Sequence, residues 1–81
     1  MSDAQMAAQI IDALEAGANN AAGAKTALVS VNIEMLAPGG DGAADVSIAR
    51  KTRTLVFLHA DFRNPQGAPI AIASSVHKIL G

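Results

Sequence analysis

Asp12 and Glu15 are the residues best suited to chemistry, two carboxylates in a stretch otherwise dominated by Ala, Ile and Leu. Asp12 sits between Ile11 and Ala13. Desolvation among apolar neighbours raises a carboxyl's pKa toward the range useful for a base, and a carboxylate can also attack an electrophile directly. Asp12 is the first candidate, and Glu15, one turn on and on a neighbouring face, is the reserve. Each has a plainer explanation as a solvent-facing residue of an amphipathic helix. Asn19 and Asn20 are candidates for shaping a pocket, although a helix end and its loop account for them equally well. Arg50, Lys51 and Arg53 form the basic cluster of the chain. Such cations suit phosphate groups, and the same residues also make an ordinary polar hairpin turn.

The two histidines, His59 and His77, fall on predicted strands with no third ligand at recognisable spacing, so no metal site is expected. Each reads as a strand histidine with its polar atoms satisfied. No serine nucleophile motif is present. Gly39, Gly40 and Gly42 follow a strand without opening a helix, so they make no phosphate-cradling loop.

The elements that must position these residues are few. The chain has 81 residues, 18 of them Ala, with only Phe57 and Phe62 aromatic and no Cys. A domain of this size is marginal, since even a 60-residue one hides only roughly 60% of its unfolded surface. No disulfide can staple it, so a partner should complete it, and a homo-oligomer is the simplest. A net charge of −1 argues against nucleic acid. The absence of a long apolar run argues against a membrane span, and nothing resembles a signal peptide. A cytoplasmic protein is the expectation.

Met6, Ile10 and Leu14 recur every four residues. That spacing predicts a helix beginning at Ser2 or Asp3 and ending near Ala16, with Gly17 as its stop. From Thr26 the period becomes two, with Val29, Val31, Ile33 and Met35 on one face of a strand of about ten residues. After the break at Pro38-Gly39-Gly40-Asp41-Gly42, a second strand runs from Ala43 to about Arg50, with Ala44, Val46 and Ile48 on one face. A third covers Thr54 to Arg63. The turn Asn64-Pro65-Gln66-Gly67 leads to a fourth, from about Ala68 to Ile79. Short connections predict a meander in which successive strands pair antiparallel. The expected fold class is α+β, one N-terminal helix on a four-stranded antiparallel sheet, in a single domain over residues 1–81.

This order, with a helix ending in small residues and a long strand closing in Ala37-Pro38-Gly39-Gly40, resembles the hotdog fold of acyl-CoA thioesterases, in particular the phenylacetate-degradation and 4-hydroxybenzoyl-CoA types. The stretch from Ile10 through Asn20 is similar to that family's central helix, an apolar pair, a carboxylate, small residues and then Asn. The residues from Ser30 to Pro38, from Ala44 to Leu55 and from Asn64 to Ala71 resemble its following strands and last hairpin, although Thr52 stands where the family often has Gly. The likeness runs from about residue 6 to residue 80. The family's leading strand and His-Gly-Gly-type loop have no counterpart ahead of this helix, which implies a version short at the N-terminus, either natural or truncated.

The resemblance implies hydrolysis or binding of a fatty or aromatic acyl-CoA thioester, with no cofactor beyond the CoA of the substrate. It makes Asp12 the base or nucleophile and Glu15 its helper. Asn19 and Asn20 would lie at the acyl pocket, and Arg50, Lys51 and Arg53 would meet the CoA phosphates. It implies self-association, as a homodimer or a dimer of dimers, with sites formed where one helix meets the partner's strands. Acyl-CoA is the expected ligand, with neither nucleic acid nor membrane as partner. The alternative is a non-catalytic hotdog module that binds an acyl group or acts in assembly. A further alternative is an unrelated α+β domain that interacts through an exposed strand edge.

Overall fold

Ser2 fixes the start of the helix. Its Oγ accepts the Gln5 amide at 3.1 Å, while Gln5 Oε1 accepts the Ser2 amide at 2.9 Å, a reciprocal cap that satisfies two otherwise free donors. From there α1 runs Asp3–Ala22 in the computed structural model, which describes residues 2–38 and 40–81. The predicted turn residue Gly39 lies outside the described residues.

The expected stop at Gly17 is overturned, and the helix continues for more than another turn. A Cβ at Gly17 would lie 2.9 Å from Val46 Cγ1. This glycine therefore lets the helix approach the sheet rather than ending it. The stop is Gly23, whose φ of 64° is the left-handed conformation that glycine adopts freely, and whose amide donates to Asn19 O.

Four strands follow, β1 (Thr26–Met35), β2 (Ala43–Lys51), β3 (Leu55–Arg63) and β4 (Pro69–Ile79). All pairs are antiparallel, but their order is β1-β4-β3-β2. The expected meander holds for β2, β3 and β4 and fails for β1, which pairs with β4. The segment after β1 is too long and too tied down to be a tight hairpin. Leu36 and Ala37 donate to Ile70 O, and Gly42 O accepts from Gln9 Nε2 at 3.1 Å. The chain is thereby carried across the ends of β4 and β3 to the far edge.

Met6, Ile10, Leu14 and Ala18 form one fully buried stripe on α1. They pack on alternate residues of the two central strands, Val56, Leu58, Ala60 and Phe62 of β3 and Ala71 and Ala73 of β4. The edge strands contribute Val31, Ile33, Ala44 and Val46.

One expected face is corrected. Val29 does not share the burial of Val31 and Ile33 but is 60% exposed, because the register shifts between Leu28 and Ser30. Before this bulge Leu28 opposes His77, and after it Val31 opposes Ser75. The extra residue changes which parity faces the helix. Ile48 keeps its predicted parity but is also largely exposed, beside a second bulge between Ile48 and Arg50. Among the described residues no helix is long and apolar enough to cross a membrane.

Candidate functional site

Asp12 lies two residues from Ile10 and two from Leu14. At about 100° per residue it stands on the far side of α1 from the buried stripe, and it is exposed. The residues one turn before and after it are Ala8 and Ala16, both exposed. The carboxylate therefore stands between two small side chains along the helix, with the longer Gln9 and Glu15 three residues to either side. Desolvation by apolar neighbours is not provided within the single chain.

Glu15 is also exposed but sits nearer the flank of the helix. Its charge is felt by His77, whose ring it favours in the protonated form.

Asn19 has a structural task. Its Oδ1 accepts both the Thr26 amide at 2.9 Å and the Thr26 hydroxyl at 2.7 Å, which ties the end of α1 to the start of β1. Asn20 is exposed beside it.

Arg50, Lys51 and Arg53 lie at the β2–β3 hairpin, all exposed. Thr52 shapes this turn, its amide donating to Leu55 O and its Oγ1 accepting the Leu55 amide at 3.0 Å. The cluster is not one patch. Arg50 opposes Phe57 whereas Lys51 opposes Val56. Arg50 thus belongs to the sheet face turned away from the helix and Lys51 to the helix side. The Arg50 guanidinium lies 6.0 Å from the Phe57 ring centroid, at the outer limit of a cation–π contact. The one ion-pair geometry among the described residues joins His59 and Asp61 at 3.4 Å, so these three cations have no carboxylate partner within the described chain.

The histidines differ more than their sequence context suggests. His59 is half-exposed beside Asp61. His77 is fully buried among core residues. Its Nε2 lies 2.7 Å from Ser75 Oγ, itself buried, and its Nδ1 has no partner among the described residues. The expectation that His77 would be fully satisfied is therefore corrected, since only one ring nitrogen is. Burial lowers its pKa below the ordinary 6.5, with Glu15 acting in the opposite direction. The alternation of β4 places His77 inside, but no sequence signal marks a missing partner for Nδ1.

Among the described residues, no three His, Asp or Glu side chains converge as a metal-binding group. Two shallow depressions lie over the central strands. One is lined by Asn32, Glu34, His59, Ile72 and Ser74, and the other by Ser30, Phe57 and Val76 among others.

A single helix laid on an antiparallel sheet of order β1-β4-β3-β2 defines a hotdog-like α+β fold. The chain shares that fold with solved thioesterase structures. The BH2602 protein of Bacillus halodurans, solved with CoA, superimposes with a TM-score of 0.67 and 20% identity over 72% of this chain and 40% of its own. Two single-alanine mutants of a hypothetical thioesterase from Streptococcus pneumoniae TIGR4, one at an aspartate and one at a threonine, each superimpose with a TM-score of 0.64. Their identity is 19%, over 73% of this chain and 51% of theirs. The chain thus spans about half the length, or less, of these structures. No family model and no curated protein sequence matches it.

Proposed function

We propose that this chain acts on acyl-CoA thioesters, fatty or aromatic, as a self-associating hotdog thioesterase with Asp12 as base or nucleophile. The supporting observation is the placement of Asp12, exposed on the outer crest of α1 between Ala8 and Ala16, in a fold shared with thioesterase structures, one of them solved with CoA.

A thioester needs a carboxylate at its carbonyl carbon, or behind the water that attacks it, and donors at its oxygen. Glu15, one turn on, helps hold the charge balance. Lys51 and Arg53 meet the CoA phosphates, Arg50 being turned to the other face of the sheet, and Asn20 with the Asn19 loop borders the acyl group. A second copy packed on the outer face of α1 supplies the desolvation that a lone chain does not.

The alternative is a module that binds an acyl group or assembles without turnover. It is favoured by one observation, that Asp12 has no side-chain hydrogen-bond partner among the described residues to orient it. Thioester hydrolysis over a panel of acyl-CoAs, at several protein concentrations, separates the two. Turnover that is lost in Asp12→Asn by at least about 100-fold, a typical share for one positioned acid or base, supports the enzyme. Equal turnover by wild type and variant removes Asp12 from the mechanism. Binding of acyl-CoA without turnover selects the alternative.

A further inference from the structure

Strand register sorts the sheet face turned away from α1 into rows that cross the strands. Glu34, Ile72, Asp61 and Asp45 oppose one another across all four strands, and the next row is Asn32, Ser74, His59 and Ser47. Beyond it come Ser30, Val76, Phe57 and Arg50, and last Ala27, Lys78 and Leu55. This face is therefore polarised along the strands. One end carries three carboxylates with one cation beside them, the exposed Arg63 opposite Ala43 and bonded to Gly67 O at 3.2 Å, and so stays acidic. The other carries Arg50 and Lys78, with half-buried Ile72, Val76 and Phe57 between them. The acidic end also holds a conflict, because Asp45 and Asp61 are direct cross-strand partners and like charges so placed repel. Arg63, two residues from Asp61 on the same face, offsets part of this, and His59, 3.4 Å from Asp61, adds to it only when protonated.

The geometry points to this face as a docking surface for a second copy of the chain, sheet on sheet, with the strands reversed end for end. A two-fold axis lying across the strands brings β2 over β2 and inverts the rows. Asp45 and Asp61 of one copy then face the Arg50 end of the other, and the acidic row as a whole faces the row that carries Lys78. An axis along the strands would instead stack carboxylates on carboxylates, so charge selects the first arrangement. Four strands about 4.8 Å apart, over three two-residue steps, present roughly 400 Å² of projected area. That is below the ~800 Å² per partner of a standard interface. The contact is consequently weak and salt-sensitive, and it adds to the pairing through α1 proposed above rather than replacing it.

Sedimentation at fixed protein concentration tests it, in about 50 mM and about 1 M NaCl, where the screening length falls from over 10 Å to about 3 Å. Wild type should show about twice the mass at low salt that it shows at high salt. Asp45→Lys with Asp61→Lys should hold the high-salt mass at both, as should Arg50→Asp with Lys78→Asp. All four changes together should restore the larger species. The milder pair Asp45→Asn with Asp61→Asn, with a fold checked by circular dichroism, should weaken the salt dependence. A wild-type dimer insensitive to salt and to these variants overturns the sheet-face contact and leaves the helix-side pairing standing. A wild-type monomer under all conditions overturns both. A folded fourfold variant that fails to regain the mass also overturns the sheet-face contact.

Discussion

His77 makes stability depend on pH in a direction that can be worked out from its surroundings. The ring is fully buried, one nitrogen meets Ser75 Oγ and the other meets no polar partner among the described residues. Burial penalises the imidazolium and lowers the pKa below 6.5, while the Glu15 charge partly opposes this. Above pH 6.5 the ring is neutral in both folded and unfolded chains and contributes no pH dependence. As pH falls through 6.5 the unfolded chain binds a proton that the folded chain refuses. Stability then drops by up to about 1.4 kcal/mol per pH unit until the lower, folded pKa is passed.

The perturbation is Ser75→Ala with His77→Leu, which removes both partners together. Truncating one alone would strand the other's polar atom at a cost of about 1–3 kcal/mol, whereas replacing both is close to neutral or stabilising. The assay is urea unfolding at fixed protein concentration from pH 8 to pH 5.5. With a urea slope of about 1 kcal/mol per molar, the wild-type midpoint should fall more than that of the double variant between pH 6.5 and 5.5, by at most about 1 M. His59 and every carboxylate are common to both proteins, so the difference isolates His77. Glu15→Gln, which removes the charge favouring the imidazolium, should carry the wild-type loss to lower pH. Parallel midpoints for wild type and double variant across this range would refute the desolvation argument.

Two backbone positions give further expectations. A Cβ at Gly42 would collide with Arg63 O and lie 2.8 Å from Phe62 Cε1, so Gly42→Ala should cost about 1–3 kcal/mol in urea unfolding, as for overpacked sites generally. An unchanged midpoint would mean that the β2–β3 approach is looser than described. Asn19→Ala removes both bonds to Thr26 and should cost about 1–2 kcal/mol of stability. A loss of acyl-CoA affinity without any loss of stability would instead assign Asn19 to the ligand.

The helix core was legible because Met6, Ile10 and Leu14 repeat at the helical period, and their burial follows from that period alone. The four strands were legible for the same reason at period two. Their order was not. Local pattern marks where a strand begins and ends, but whether β1 pairs with β2 or β4 is decided by tertiary bonds after β1, from Leu36 and Ala37 to Ile70 and from Gln9 to Gly42. Gly17 misled for a related reason. A glycine that ends a helix and a glycine that admits a neighbouring Val46 side chain look alike in one dimension. Asp12 and Glu15 could be placed on α1 from spacing, as could the hairpin position of Arg50, Lys51 and Arg53. The bulge after Ile48, which gives Arg50 rather than Lys51 the face turned away from the helix, could not, nor could the acidic row, which exists only once register aligns Glu34, Asp61 and Asp45.

The position of Asp12 links chemistry to assembly. A carboxylate works as a base near neutral pH when water is excluded and its ionised form is less favoured, yet Asp12 is exposed and faces away from everything the chain buries. The core side of α1 is committed, with Met6, Ile10, Leu14 and Ala18 fully enclosed. Any second wall for the site must therefore come from outside this chain. If that wall is another copy, specific activity must fall on dilution while the fold persists. If the substrate alone provides it, specific activity is constant with dilution. The same concentration series that tests turnover thus tells which molecule completes the site.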